Sequence, residues 1–234
     1  MITKCPSAIS FRSSPAILLC AVVALCCCSG SPERRGGQCL DMGDFENALT
    51  FYSRAVHNQP TSYRARAGLA KAWLQYCCAP ENGRRLTPDD WHKAVRYSLF
   101  AFRLRQTEDM KDALSMCQFR LARALSASGD SAGALSSAME SIRIRPLKPP
   151  FLNYAGILNH KAGKDSVARE LFLRAQVLDS TDAVAPFNLG MLHWYKGEFL
   201  QAHHYWLRAL KIAPRDQNVV YWFAAADVKV RTLK

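Results

Sequence analysis

Small and bulky apolar residues recur along this chain at fixed intervals. Five segments align on an alanine, namely Ala48, Ala94, Ala134, Ala168 and Ala202. In the first, fourth and fifth segments an aromatic residue follows four positions later. Residues four apart share one face of an α-helix, so each segment is predicted to be an amphipathic helix. The last two intervals between the alanines are both 34 residues, which indicates an internal repeat.

Each repeat is predicted to contain two helices, because glycine stands before most of the aligned segments and proline after several of them. The glycines are Gly43, Gly129, Gly163 and Gly197. Glycine adopts the positive φ that ends many helices. The prolines are Pro60, Pro146 and Pro214. Proline prevents a helix from continuing, so each one separates a unit from the next.

The repeat resembles the tetratricopeptide repeat (TPR), which has Leu-Gly-x-x-Tyr on helix A, then Gly, and Ala-x-x-x-Phe, Ala and Pro on helix B. The fifth unit matches it as Leu189-Gly190-x-x-His193, Gly197, Ala202-x-x-x-Trp206, Ala209 and Pro214. The resemblance covers about residues 38–234. It implies an all-α fold, a right-handed α-solenoid of about five helix pairs with a C-terminal capping helix. The units implied are 38–62, 63–108, 109–148, 149–182 and 183–216, with the cap at 217–234.

Two intervals are longer than 34 residues and therefore contain insertions. The interval from Ala48 to Ala94 is 12 residues longer, and we assign the excess to a protruding loop over residues 77–88. Thr87 and Pro88 at its end are a typical N-cap and first-turn pair for the next helix. The interval from Ala94 to Ala134 is six residues longer. We assign that excess to residues 103–108, between the second and third units.

Residues 1–28 have the features of an export leader. Lys4 and Arg12 precede the continuously apolar run AILLCAVVALCCC over residues 16–28. Leu25 through Cys28 resembles a bacterial lipobox, which implies that Cys28 is lipidated and that the protein is exported and membrane-associated, in a bacterial cell envelope. An ordinary cleaved signal and a retained anchor are the alternatives. Pro32 and the pair Gly36-Gly37 follow, so residues 29–37 are predicted to be a flexible spacer.

The chain shows no signature of catalysis, and we expect no cofactor and no metal site. It contains neither a phosphate-binding Gly-x-x-x-x-Gly-Lys-Ser/Thr loop nor a Gly-x-Ser-x-Gly turn. His203 and His204 are adjacent, so on a helix they point in different directions. Adjacent Cys77 and Cys78 lack the spacing of a zinc site. The formal net charge is +12 in 234 residues, but the charges are spread along predicted helix faces.

In the TPR family, ligands lie along the concave surface formed by the A helices. By register, the resemblance places on that surface Arg64, Lys71, Arg120, Arg123, Asn153, Lys161, Asn188, Met191, Trp194 and Tyr195. This set is basic toward the N-terminus and aromatic toward the C-terminus. Such a groove suits a peptide or protein partner that carries an acidic stretch and apolar anchors.

These features predict a non-catalytic scaffold for protein–protein interaction at a cell-envelope membrane. The alternatives are an accessory subunit of an envelope assembly or secretion complex, a thiol redox protein that uses Cys77 and Cys78, and a nucleic-acid-binding protein. Only net charge favours nucleic acid, and an export leader argues against it. We therefore expect a protein or peptide partner, membrane contact through the N-terminal lipid or anchor, and no nucleic acid.

Overall fold

The computed structural model describes residues 30–79 and 86–232. Short connections join helices along these residues, and no strand occurs among them. The helices are α1 (Pro32–Asp41), α2 (Phe45–Asn58), α3 (Tyr63–Cys78), α4 (Pro88–Leu104), α5 (Glu108–Ser128), α6 (Ser131–Ile144), α7 (Pro149–Lys161), α8 (Asp165–Leu178), α9 (Val184–Tyr195), α10 (Phe199–Ile212) and α11 (Gln217–Thr232). The predicted leader, with Cys28, and residues 80–85 of the predicted loop lie outside the described residues.

Each helix packs against the helix before it and the helix after it. The pairs α1/α2, α3/α4, α5/α6, α7/α8 and α9/α10 are five A/B units, and α11 packs on α10 as the A helix of a sixth position. The predicted all-α fold of five helix pairs with a C-terminal helix is therefore confirmed. Because each unit buries its apolar face only against its neighbours, the core runs along the stack, as one long cluster from α3 to α9 and several smaller clusters.

The aligned alanines are the points of closest helix packing. Ala48, Ala94, Ala134, Ala168 and Ala202 are each 0% exposed. A small side chain lets two helix backbones approach each other, and larger side chains fill the grooves beside it. The turn glycines also behave as predicted. Gly43, Gly129, Gly163 and Gly197 have φ of 76°, 93°, 73° and 75°, a conformation that favours glycine because other residues meet a steric penalty there.

The prediction of a flexible spacer over residues 29–37 is wrong for residues 32–37, which are helical. Helix α1 begins at Pro32, where the lack of an N–H group has no cost, and the Ser31 hydroxyl accepts a hydrogen bond from the Arg34 N–H. Gly36 is buried because it packs directly against the ring of Tyr52. The glycine that suggested flexibility is a packing residue, and the first unit starts at residue 32 rather than 38.

The six extra residues of the second insertion do not lie at residues 103–108. Helix α4 ends at Leu104, ten residues after Ala94, and α2 likewise ends at Asn58, ten residues after Ala48. The excess is instead in α5, which has 21 residues, whereas the A helices α7 and α9 have 13 and 12. Thr107 caps α5, so this helix begins about two turns early and projects acidic residues beyond the regular unit.

Candidate peptide-binding surface

The A helices form one side of the stack, which we call the A-helix surface. Helix α3 contacts α1 and α5, and α9 contacts α7, whereas neighbouring B helices make no comparable contacts within the described residues. The A helices are therefore closer together, which makes the A-helix surface the inner, concave side. Any predicted groove residue must reach this side to act on a ligand.

The predicted basic residues do not all stand in the same environment. Arg64, Lys71, Arg123 and Lys161 are exposed. Arg120 is half-buried, and its Nε has no hydrogen-bond partner among the described residues. Its positive charge is close enough to Cys78 to oppose the burial that raises the pKa of that thiol. Four of the five predicted basic side chains are therefore exposed to solvent, and the fifth, Arg120, lies near Cys78 at the end of α3.

The two predicted asparagines are withdrawn from solvent to different degrees. Asn153 is only 4% exposed, and its Nδ2 donates to Oδ2 of Asp182 across 3.2 Å. That bond ties the connection before α9 to α7. Asn188 is partly buried, and its Nδ2 has no partner among the described residues. The register gave the right helices for both residues but did not reveal how deeply they are buried.

The aromatic end of the predicted groove is largely packed. The Trp194 ring lies 5.6 Å from the Trp206 ring and 5.7 Å from the Trp222 ring, centroid to centroid. Met191 packs against the same cluster. Tyr195 differs from both, because it is 64% exposed and its ring lies 5.4 Å from the His160 ring. Tyr195 is therefore the member of this group most available to a ligand.

Acidic residues on the A-helix surface were missed as groove residues. Asp109 and Asp112 belong to the early turns of α5, and Lys148 precedes α7. With Lys71 they surround a cavity of about 430 Å³. Its other lining residues are Leu74, Gln75, Ala113 and Met116. The sequence signal was present, since Asp109 and Asp112 are three residues apart, but the insertion had been assigned to residues 103–108, between the second and third units.

Ion pairs hold the rim of this cavity. Lys71 Nζ lies 3.6 Å from Asp109 Oδ2. Lys148 Nζ lies 2.8 Å from Asp112 Oδ1. Arg145 lies between two carboxylates, with its Nη1 2.7 Å from Glu108 Oε2 and its Nε 2.9 Å from Asp112 Oδ1. The Lys148 hydrogen bond lowers the pKa of Asp112, and the Arg145 hydrogen bond lowers the pKa of Glu108. The rim of the cavity thus carries both positive and negative side chains, and the floor of the cavity is apolar.

Further features of the described residues bear on metal binding, thiol chemistry and helix length. They contain no group of three or more His, Cys, Asp or Glu side chains placed to hold a metal ion. Burial raises the pKa of Cys117 to about 12, so almost none of it is the reactive thiolate near neutral pH. In the described part of the chain, no helix has the length and apolar character needed to cross a bilayer. His193 stacks on Tyr205 at 5.2 Å, as a packed aromatic residue does.

Comparison with known proteins finds similarity in sequence over one segment and in fold over most of the chain. No family model matches the chain. It is 44% identical over 54 residues to tetratricopeptide repeat protein 16 of Macaca fascicularis. That match covers 22% of this chain and only 6% of that much longer protein.

Several solved structures have the same fold at low sequence identity. YrrB, described as a TPR protein with an unusual peptide-binding site, superposes with a TM-score of 0.58 at 16% identity, covering 81% of this chain and 89% of its own. MamA superposes with a TM-score of 0.56 at 16% identity, and the match covers 78% of this chain and 96% of MamA. A TPR protein from Parabacteroides merdae superposes with a TM-score of 0.58 at 14% identity, and the match covers 84% of this chain and 73% of that protein. The five helix pairs, the small residues that pack them and these structural similarities show that the chain has the tetratricopeptide-repeat fold.

Proposed function

We propose that this protein is a non-catalytic scaffold that binds a peptide or a protein segment along its A-helix surface. The observation that carries the proposal is the open cavity of about 430 Å³ between α3 and α5, which has an apolar floor and a charged rim. An apolar side chain of a ligand fits such a floor, while the rim fixes its orientation. YrrB is described as having a peptide-binding site, which agrees with a binding role for this fold.

The charges around the cavity favour a ligand with an apolar anchor and acidic residues beyond it. At the rim itself, Asp109 and Asp112 offset Lys71 and Lys148. Side chains in the Lys71–Asp109 pair are 50% and 76% exposed, so the pair is weak and a ligand carboxylate can replace Asp109. Farther along the A-helix surface, Arg123 and Lys161 are exposed. An acidic stretch would face these two cations.

Cross-linking and mass spectrometry of the 234-residue protein in its own cells would identify the partner, and two matched variants would then test the surface. Met116→Glu places a carboxylate on the cavity floor, and we expect partner binding to fall about tenfold or more because that charge becomes buried on binding. Met139→Glu makes the same change on α6, away from the A-helix surface, and should leave binding unchanged. Loss of binding in Met139→Glu but not in Met116→Glu would contradict the proposal.

We further propose that the protein is exported and tethered to a cell-envelope membrane through a lipid on Cys28. The supporting feature is the order of residues in the leader, where a basic start, an apolar run and Leu25-Cys26-Cys27-Cys28 follow one another. Metabolic lipid labelling should mark the wild type and fail for Cys28→Ser, with Cys27→Ser as the matched control. Continued labelling of Cys28→Ser would remove Cys28 as the acceptor.

An accessory subunit of an envelope assembly or secretion complex is a narrower form of the same proposal. The row of units lets one chain contact a partner over several helices, as a fixed subunit would require. The cross-linking experiment separates the two forms. A fixed subunit gives one partner at constant stoichiometry, whereas a general scaffold gives several partners.

A further inference from the structure

The side of the stack opposite the A-helix surface is strongly basic. We call it the outer surface, and the B helices α2, α4, α6, α8 and α10 form it. Beyond their first turns these helices carry two acidic residues, Glu140 and Glu170. Over the same stretches they carry nine exposed basic residues, which are Arg54, Lys93, Arg96, Arg103, Arg143, Arg169, Arg174, Arg208 and Lys211. The outer surface therefore has a large excess of positive charge.

Most of these cations lie in one stripe on each B helix. Seven of them stand two, six or nine residues after the aligned alanine of their helix. They are Arg54, Arg96, Arg103, Arg143, Arg174, Arg208 and Lys211. Successive residues of an α-helix are about 100° apart around its axis, so these three positions face away from the buried alanine. Because the units are stacked in register, the stripes of neighbouring helices form one basic band along the outer surface.

The cations of the basic band have few acidic partners. Among the described residues, Arg143 is the one member that forms an ion pair, with its Nη2 2.6 Å from Glu140 Oε1. Arg96 lies over the ring of Tyr97, with its Cζ 5.4 Å from the ring centroid. By contrast, Lys71 and Lys148 at the inner cavity are each paired with a carboxylate. The basic band thus presents charge that a negatively charged surface can neutralise.

An apolar cluster interrupts the basic band on the fourth unit. Nine residues after the aligned alanine, where three other units have arginine or lysine, this unit has Val177. Val177 is 83% exposed, and Leu147 and Leu178 beside it are 71% and 40% exposed. The cluster surrounds an open cavity of about 330 Å³, lined by Leu147, Glu170, Leu173, Arg174, Val177 and Leu178. Large apolar side chains therefore project into water from the middle of a basic surface.

We propose that the outer surface binds an anionic lipid bilayer, with Val177 and Leu147 inserted between the headgroups and the basic band against the lipid phosphates. Cations near an anionic leaflet are attracted to it, and apolar side chains gain free energy when they leave water for the acyl boundary. A nucleic acid would neutralise the same cations, but its charged backbone offers Val177 and Leu147 no apolar environment. The combination of unpaired cations and projecting apolar side chains therefore favours a bilayer.

The position of the apolar cluster suits contact with a flat surface. The outer surface is the convex side of the stack, and α6 and α8 belong to the third and fourth of its five units. The cluster thus stands near the crest, with basic residues of α4 and α10 on either side. In this orientation the A-helix surface faces away from the bilayer and its cavity stays open to a partner. The contact goes beyond the proposed scaffold and does not require a lipid on Cys28.

Amide hydrogen exchange of the 234-residue chain bound to vesicles tests the proposal. The two vesicle types are phosphatidylcholine alone and phosphatidylcholine with about 30% phosphatidylglycerol. On the anionic vesicles, peptides over residues 143–148 and 174–182 should exchange about fivefold or more slowly than on the neutral vesicles. Leu147→Glu/Val177→Glu should abolish this protection, because it places two carboxylates against an anionic surface. Met42→Glu adds a carboxylate at a 49% exposed site in the first A/B turn and should keep the protection.

A second pair of variants tests the basic band. Arg174→Gln/Arg208→Gln removes two of its cations and should weaken the protection about fivefold or more. Lys164→Gln/Lys196→Gln removes the same charge from exposed sites in the A/B turns and should keep it. Cys28→Ser should also keep it, so a failed lipid tether and a failed outer contact give different results.

Three outcomes would overturn the proposal. The first is a chain that does not bind the anionic vesicles or exchanges equally on both vesicle types. The second is protection that survives in Leu147→Glu/Val177→Glu. The third is the same protection, equally insensitive to these two changes, when a DNA duplex replaces the vesicles.

Discussion

The backbone of Gly36 in α1 lies directly against the aromatic ring of Tyr52 in α2. A Cβ atom at position 36 would lie 2.7 Å from ring Cδ2, which is closer than real Cβ contacts allow. Tyr52 also lies against Gly68 of α3, so one ring joins three helices. The first unit is therefore fixed to the second through a ring that fits only where side chains are absent.

Replacing Gly36 with alanine should destabilise the first unit. The added methyl group overpacks the contact with Tyr52, and we expect the free energy of unfolding to fall by about 1–3 kcal/mol in urea titrations. Gly37→Ala is the matched control, because a Cβ there would be at ordinary contact distance, 3.5 Å from the Tyr52 hydroxyl. That variant should be neutral or slightly more stable, since alanine favours helix more than glycine does. Equal effects of the two changes would refute the packing role of Gly36.

Trp206 should be the most costly aromatic residue to remove from the C-terminal cluster. It is 0% exposed, and its Nε1 donates to the Phe187 carbonyl oxygen across 3.0 Å. Trp206→Ala leaves a cavity and removes this hydrogen bond, so thermal unfolding should show a loss of about 3–5 kcal/mol. Tyr195→Ala, an aromatic truncation at an exposed position, should cost less than about 1 kcal/mol. A larger loss in Tyr195→Ala would show that the cluster is arranged differently.

Asp90 should contribute more to the start of α4 than its neighbour Asp89. The Asp90 carboxylate accepts hydrogen bonds from the Thr87 N–H at 3.1 Å and from the Thr87 hydroxyl at 2.9 Å, which closes a capping box. We expect Asp90→Ala to lower the free energy of unfolding by about 1 kcal/mol. Asp89→Ala retains this box and removes only a charge near the helix dipole, worth about 0.3–1 kcal/mol. Urea titrations of the two variants would contradict this account if Asp89→Ala were the less stable.

The ion pairs of Glu108 and Asp112 should make stability depend on pH in the acid range. Hydrogen bonds from Arg145 and Lys148 lower the pKa of Glu108 and of Asp112 from their ordinary values of 4.5 and 3.8. A lowered pKa in the folded state means stabilisation that is present above the ordinary value and is lost as the pH falls through the folded-state pKa. The variant Glu108→Gln/Asp112→Asn should therefore be less stable than the wild type at pH 7.

The same variant should match the wild type once the pH has fallen below the folded-state pKa of both carboxyl groups, so that both are protonated. Urea midpoints measured at pH 7 and at successively lower pH follow the difference. The difference in stability should be small, because the Glu108 and Asp112 side chains are 71% and 51% exposed. It should become smaller still in about 1 M salt, which screens the ion pairs. A difference between the two proteins that stays constant as the pH falls would show that the ion pairs do not cause it.

The insertion in the third unit shows why part of the site could not be read from the sequence. The excess of six residues was visible as an interval, but an interval does not say whether its residues form a loop or lengthen a helix. The structure adds them to α5, and this places Asp109 and Asp112 on the A-helix surface beside Lys71. The groove residues Trp194 and Asn153 were assigned to the right helices, but their burial depends on neighbouring units.

The sequence by itself determined the class of fold, the helix pairs and the turns, because the 34-residue period, the aligned alanines and the turn glycines are local signals of helix packing and helix ends. Only the tertiary structure decided that residues 32–37 are helical, because Gly36 acquires its role from the Tyr52 ring of another helix. The same holds for the mixed charge around the cavity between α3 and α5. Burial and pairing are properties of surfaces that meet across units, and no single segment encodes them.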